Sequence, residues 1–135
     1  MGRRELRESI FQLLFMTEFN DNQEMTEQKQ LYLEGIEDLQ EKDQAYIQDK
    51  FEKICEVVPQ LDEALNEASK GWKTSRMGKV ELSILRLAVY EMRYDEDVPA
   101  KVAINEAVEL AKKFGGNDAP SFINGILGKL AKADE

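Results

Sequence analysis

The sequence predicts an all-α protein, a compact bundle of six or seven helices, and three observations support this prediction. Apolar residues recur at spacings of three and four along most of the chain, which is the period of a helix with one buried face. No segment shows the strict apolar–polar alternation of a half-buried strand. The three prolines stand where these periodic segments begin or stop, as expected for a chain of consecutive helices.

The first helix is expected from about Arg3 to Phe19, before the turn residues at 20–22. One buried face follows the i, i+4, i+7, i+8 pattern: Leu6, Ile10, Leu13 and Leu14. A second stripe, spaced by four, consists of Phe11, Phe15 and Phe19. Two stripes indicate that this helix is covered from two sides, or that one flank awaits a partner.

The following segments predict three weaker or shorter elements. Residues 24–40 favour a helix anchored by Leu31, Ile36 and Leu39, although Gly35 within it is a poor helix former. From about Asp43 the pattern strengthens through Ile47, Phe51, Ile54 and Val58. A shorter helix after Pro59 should end at the Lys70-Gly71 pair. Trp72, beside this stop, is interpreted as a packing plug between helices.

The C-terminal part predicts the centre of the fold. From about Val80 to Tyr94, apolar residues cover most of a helix circumference, which is typical of a central helix, and only Glu81, Arg86 and Glu91 interrupt them in a narrow exposed strip. Pro99 suits the first position of the next helix, and Gly115 suits its C-terminal stop. The final helix is expected to be capped by Asp118, with Gly125 allowing a close helix approach.

The length of 135 residues favours a single domain spanning 1–135, with 1–72 and 73–135 as its N-terminal and C-terminal helical halves. No run approaches the roughly 18 to 20 apolar residues of a membrane-spanning helix, so no membrane association is expected. The N-terminus lacks the apolar core of a signal peptide. The single Cys55 cannot form an internal disulfide, which suits the reducing cytoplasm.

The composition excludes most catalytic chemistry. Histidine is absent, so a Ser-His or Cys-His nucleophile and a His-containing metal site are impossible. Cys55 lies at helical spacing from Phe51 and Ile54 and is interpreted as a core residue. The carboxylate pairs lie in polar runs, where no apolar pocket would raise a pKa. We therefore expect a protein without enzymatic activity, metal or cofactor.

The net charge of −9 is unevenly distributed. Residues 18–67 carry 15 acidic and 4 basic side chains, whereas residues 1–17 and 68–135 each carry a net charge of +1. A broad basic surface for nucleic acid is therefore missing. Any RNA contact must be local and could depend on a partner.

Three C-terminal segments stand in an order that resembles the NusB family of bacterial transcription antitermination factors. These segments are VELSILRLAVYEM (80–92), VPAKVAINEAVELAKKFG (98–115) and FINGIL (122–127). The opening helix, with Arg3, Arg4, Arg7 and Glu8 followed by Gln12 and Phe15, resembles that of the family more weakly. The resemblance implies a NusB-like helical fold. It also implies binding to the boxA element of a transcript together with the ribosomal protein NusE, within the antitermination complex on RNA polymerase during ribosomal RNA synthesis.

The basic candidates for RNA binding under this resemblance are Arg3, Arg4, Arg7 and Arg86. Arg3 and Arg7 share a helix face, so the N-terminal cluster could hold phosphates. Arg4 could instead form only an i, i+4 surface pair with Glu8. Arg86 is the lone basic residue inside the central helix, and it could instead pair with a buried carboxylate.

The remaining candidates are two aromatic rings and two carboxylates. Phe15 and Phe122 could stack on RNA bases, although both could equally be core residues. Relatives often have tyrosine where Phe15 stands, so a hydrogen bond from that position is lost. By resemblance Asp118 lies near the RNA-binding face, where its charge would repel phosphate. Glu81 is the candidate contact for the basic protein NusE, or else a first-turn glutamate that complements the helix dipole.

Two functions therefore compete. The first is an RNA-binding antitermination factor, and the alternative is an acidic helical protein–protein interaction module of the same fold without RNA binding. The sequence leaves open whether the free protein forms a homodimer.

Overall fold

The computed structural model describes all residues from 1 to 135 and contains seven α-helices and no strand. The helices are α1 (Arg3–Met16), α2 (Asn22–Glu34), α3 (Glu41–Glu56), α4 (Val58–Ser69), α5 (Lys79–Tyr94), α6 (Ala100–Phe114) and α7 (Ala119–Ala133). A 3₁₀ turn, Thr74–Arg76, separates α4 from α5. The all-α prediction and the number of helices are confirmed. None of the helices is both long enough and apolar enough to cross a membrane.

The chain divides into two compact units, Met1–Glu56 with α1 to α3 and Val57–Glu135 with α4 to α7. The sequence placed its division into halves after residue 72, whereas α4 packs with the C-terminal helices. That the whole chain behaves as a single domain stays a prediction.

In the N-terminal unit, α1 packs against α2 and α3. The buried residues of these faces follow the predicted periodicity in α1 and α3: Ile10, Leu13, Leu14, Ile47, Phe51 and Ile54. Leu6 is only half-buried, because it lies in the first turn of α1. The N-terminal ammonium of Met1 lies 3.2 Å from Oδ2 of Asp43, so an ion pair joins the chain start to the first turn of α3.

Helix α2 is shorter than the predicted 24–40 segment and ends before Gly35. A reciprocal capping box starts it: Oδ1 of Asp21 accepts from the Glu24 amide at 2.8 Å, and Oε1 of Glu24 accepts from the Asp21 amide at 2.9 Å. Only Met25 and Leu33 of this helix are buried. The predicted anchors of this helix were wrong. Leu31 is exposed, and Ile36 and Leu39 lie after the end of the helix and are half-buried.

The C-terminal unit is built around α5, which packs against α4, α6 and α7. Nine of its 16 residues are buried, as predicted for a central helix. The expected exposed strip was wrong in one respect, because Glu91 is 1% exposed. The Ser83 hydroxyl is also buried and donates to the Lys79 carbonyl at 2.7 Å, which satisfies its hydrogen bond within the helix.

The junction of α6 and α7 depends on Gly115. A Cβ atom at this position would lie 2.6 Å from Cβ of Ala119 and 2.9 Å from the Ala111 carbonyl oxygen, so only glycine fits. The close approach predicted at Gly125 was wrong, since a Cβ there would meet nothing within 4 Å. Pro99 is the N-cap of α6 rather than its first residue. These contacts fix where α7 begins, and with it the side chains at 118 and 122.

Candidate nucleic-acid interface

The arginine cluster of α1 is divided between the surface and the interior. Arg3 and Arg4 occupy the first two helical positions and are exposed. Arg7 is only 9% exposed, because it shares a helix face with the buried Ile10 and Leu14. The predicted cluster is therefore divided: Arg3 and Arg4 are exposed to solvent, and Arg7 belongs to the packed part of the unit.

Three phenylalanines form a row along α1 that runs from the core towards solvent. Phe11 is buried, Phe15 is half-buried, and Phe19 is 59% exposed. The ring centroids of Phe11 and Phe15 are 6.3 Å apart, and those of Phe15 and Phe19 are 5.0 Å apart with an interplanar angle of 66°. Phe15 is therefore fixed by ring contacts on both sides while part of its surface stays accessible.

A second aromatic site lies in the C-terminal unit, where Trp72 and Phe122 meet. Their ring centroids are 6.3 Å apart and the rings are inclined by 68°, an edge-to-face arrangement. Phe122 is half-buried, whereas Trp72 is 53% exposed. The interpretation of Trp72 as a buried plug between helices was wrong, because its indole is largely accessible to solvent.

Asp118 stands one turn before Phe122, at the N-cap position of α7. Its side chain makes no cap hydrogen bond and is exposed. The reason is its backbone conformation, φ −91° and ψ −9°, which is helical instead of the extended conformation that side-chain capping requires. The predicted cap is therefore confirmed as a position but not as an interaction. The carboxylate is left on the surface near the aromatic pair.

The contacts of Arg86 do not favour a role in RNA binding. Its Nε donates to Oδ1 of Asp62 at 2.9 Å, and its Nη2 donates to Oδ2 of the same carboxylate at 2.8 Å. The two side chains are 14% and 22% exposed, so this bidentate pair between α4 and α5 is mostly shielded from water. The structure thus favours the alternative interpretation, in which Arg86 forms an ion pair with a carboxylate inside the fold.

Glu81 lies in the first turn of α5, and its carboxylate folds back over Gly78, the N-cap residue. A Cβ atom at position 78 would collide with this carboxylate. The arrangement suits the interaction of a glutamate with the positive end of the helix dipole. The residue is half-exposed.

Trp72 is the residue that the sequence reasoning missed as a candidate. One signal in the sequence could have identified it, namely the basic residues on both sides of this aromatic residue, Lys70 and Lys73. The acidic side chains do not gather into any group of three or more that could hold a metal ion.

The NusB family model matches residues 4–132. The transcription antitermination protein NusB of Lachnoclostridium phytofermentans is 50% identical over 130 residues, which cover 96% of this chain and 98% of that protein. T. maritima NusB has a similar structure, with a TM-score of 0.88, 30% identity, and coverage of 98% and 92% of the two chains. A chain from the crystal structure of antitermination factors NusB and NusE in complex with dsRNA has the same fold, with a TM-score of 0.85, 21% identity, and coverage of 97% and 96%.

The family match spans almost the whole chain, and the segments that carry the resemblance lie in helices α5, α6 and α7. The family consists of transcription antitermination proteins and not of enzymes. The chain therefore belongs to the NusB family.

Proposed function

We propose that this protein acts in transcription antitermination in the cytoplasm by binding boxA RNA together with a NusE-like ribosomal protein. This complex would join the RNA polymerase antitermination complex, notably on ribosomal RNA genes. The observation that carries the proposal is the family match over residues 4–132. A relative of the same fold was crystallised with NusE and dsRNA, which supports both kinds of partner.

The start of α1 supplies the phosphate contacts. Arg3 and Arg4 lie at the positive end of the helix dipole, where a cation costs helix stability by about 0.3–1 kcal/mol. Glu5 is the only acidic residue in that first turn. An anionic ligand bound by these two exposed arginines would be favoured by the same helix end.

The bases are contacted by Phe15 and Phe122. Each ring is half-buried and held by a neighbouring aromatic ring, so it offers an accessible surface at little cost in side-chain entropy. Asp118 lies on the same side of α7 as Phe122, one turn earlier, and lowers RNA affinity through its negative charge. Arg7 and Arg86 support the site through the fold, because the first is buried and the second is paired with Asp62.

The protein partner is contacted at Glu81. Ribosomal proteins of this kind are basic, and a half-exposed carboxylate at the start of the central helix offers a complementary charge. The acidic residues in 18–67 add a general attraction for a basic partner.

A filter-binding titration tests this function. Labelled boxA RNA and a scrambled RNA of the same composition are titrated with the protein, with and without the ribosomal partner, at several salt concentrations. We expect modest affinity for boxA RNA alone, tighter binding with the partner, and a salt slope that corresponds to roughly two to four phosphate contacts. No binding to either RNA in any mixture would instead support an acidic protein–protein interaction module without RNA binding. Light scattering on the free protein decides whether it forms a homodimer.

A further inference from the structure

We propose that the segment between α4 and α5 is a second RNA contact, in which Trp72 and Phe122 stack a base and Lys73 and Arg76 hold the phosphates beside it. We refer to residues 70–79, which run from the C-cap of α4 to the first residue of α5, as the basic loop. This inference rests on the proposed function, because it extends the surface that such a factor offers to single-stranded RNA.

The charge of the basic loop is opposite to that of the protein. Four basic residues occur in it, and no acidic residue stands between Glu67 and Glu81, while the whole chain has a net charge of −9. The four basic residues are all exposed: Lys70, Lys73, Arg76 and Lys79. Only Lys70, at the C-cap of α4, is placed favourably for a helix dipole. Lys73 and Arg76 lie outside the α-helices, and an anionic ligand is a role that fits both charges.

The loop holds Trp72 in place without burying it. Lys70 and Gly71 both have left-handed backbone conformations, with φ of 33° and 85°, which turn the chain sharply after α4. The Ser69 hydroxyl then donates to the Trp72 carbonyl at 2.6 Å, and the Thr74 amide donates to Oδ1 of Asn66 at 2.7 Å. One hydrogen bond to the carbonyl of Trp72 and another two residues later thus restrain the backbone at this position. This segment therefore loses little conformational entropy when a ligand binds.

The geometry of the aromatic pair leaves room for a base. In an edge-to-face pair each ring has at most one face covered by the other, and Trp72 is still 53% exposed. A large apolar ring at the surface between two cations is the combination that non-specific single-strand binders use for stacking and for tracking the backbone. A basic ribosomal protein would be repelled by the same four charges, so the occupant is RNA and not the protein partner.

The chain has a single tryptophan, so Trp72 reports its own occupancy. Intrinsic fluorescence is recorded while unlabelled boxA RNA or the scrambled RNA is added, and affinity is measured in parallel by anisotropy of labelled RNA. We expect quenching at the RNA concentrations that give binding. Trp72→Ala should weaken binding by roughly 5- to 150-fold, the usual effect of removing a stacking ring, and Trp72→Phe should restore most of it. Tyr94→Ala, which removes another exposed aromatic ring of the same unit, should leave the affinity unchanged.

The charge contacts are tested through the salt dependence. Lys73→Ala and Arg76→Ala should each lower the slope of log affinity against log salt by about 0.7, the contribution of one phosphate contact to a single strand. Lys101→Ala, which removes an exposed lysine from α6, should leave the slope unchanged. Circular dichroism melts confirm that each variant is folded, and the fluorescence quenching of the wild-type Trp72 tests the contact if Trp72→Ala does not fold.

The outcomes separate this inference from the proposed function. Wild-type binding by anisotropy, with unquenched tryptophan and an unaltered Trp72→Ala affinity, would overturn the basic-loop contact and leave the proposed function standing. If Trp72→Ala lost binding to the ribosomal partner while its RNA affinity stayed intact, the inference would also be overturned, and the loop would be a protein contact. Absence of any boxA binding by the wild type would overturn the proposed function, and the inference with it.

Discussion

The Arg86–Asp62 pair allows the structural and the RNA-binding interpretation of Arg86 to be separated. The guanidinium makes two charge-assisted hydrogen bonds of 2.9 and 2.8 Å to one carboxylate, and these join α4 to α5 inside the C-terminal unit. Arg86→Met keeps much of the apolar stem but leaves the Asp62 carboxylate without these bonds. We therefore expect a loss of stability without a change in RNA affinity.

The size of this loss follows from the burial of the pair. Hydrogen bonds to charged groups contribute about 1.5–3 kcal/mol, and breaking a fully buried pair costs about 3–5 kcal/mol. Because the side chains are still 14% and 22% exposed, water can partly replace the lost partner, and we expect a loss of about 2–3 kcal/mol. An unfolding entropy of about 2.1 cal/mol/K per residue over this chain converts each 1 kcal/mol to roughly 3.5 °C, so Tm should fall by roughly 7–10 °C.

Urea unfolding followed by circular dichroism gives the free energies for a double-mutant cycle. Asp62→Asn, Arg86→Met and the double variant should show a coupling of about 1–2 kcal/mol, with the double variant more stable than the sum of the single losses suggests. RNA affinity is measured well below each melting temperature. A coupling near zero, or an RNA affinity that falls while stability is unchanged, would refute this reasoning and return Arg86 to the RNA-binding residues.

Three further predictions follow from the candidate site. Replacing Arg3 and Arg4 together by alanine should weaken binding to every RNA similarly with little change in Tm, whereas Arg7→Ala should lower Tm because that side chain is buried; equal Tm losses in a thermal melt would contradict the division of the cluster. Asp118→Asn should tighten boxA binding up to about fivefold, since the repulsion between two charges about 4 Å apart in water is worth about 1 kcal/mol. Its Tm should be unchanged, because the Asp118 side chain makes no cap hydrogen bond. Unaltered or weaker binding in a filter assay would remove Asp118 from the RNA surface. Glu81→Lys should weaken binding to the NusE-like partner in calorimetry far more than it affects helicity or RNA affinity, and an unchanged partner affinity would leave that residue as a helix-dipole glutamate.

Helical periodicity predicted the parts of the fold in which a helix has a clear apolar face or, like α5, apolar residues on most of its circumference. The bounds of α5 were within one residue of the prediction, because apolar residues on most of its circumference require burial wherever the neighbouring helices lie. The buried residues of α2 were not predicted, because a mostly polar helix has no dominant stripe and its neighbours decide which residues are covered. Gly115 and Gly125 were indistinguishable for the same reason: a close approach is a property of two segments and not of one glycine.

The candidate site was predicted by residue type more reliably than by environment. Arg7 belongs to the same charged cluster as Arg3 in the sequence, but the helix phase places it with the core residues of α1. The Asp118 side chain makes no cap hydrogen bond because its backbone is helical, and the residue type does not specify that conformation. Trp72 stands beside a helix stop as many buried plugs do, and its exposure is decided by the left-handed pair of residues before it. The Asp118 cap and the exposure of Trp72 depend on local backbone geometry that only the folded chain defines, whereas the helix phase of Arg7 can be read from the sequence.

The capping box of α2 has a consequence for the way the N-terminal unit fluctuates. Its two reciprocal hydrogen bonds join neighbours in the sequence, so they stabilise this helix whether or not it is docked. The helix buries only two side chains, whereas α5 buries nine, so separating α2 from its neighbours exposes little apolar surface. Its amide protons should therefore exchange with deuterated water through brief local excursions, long before those of α5, whose exchange awaits the unfolding of its whole unit.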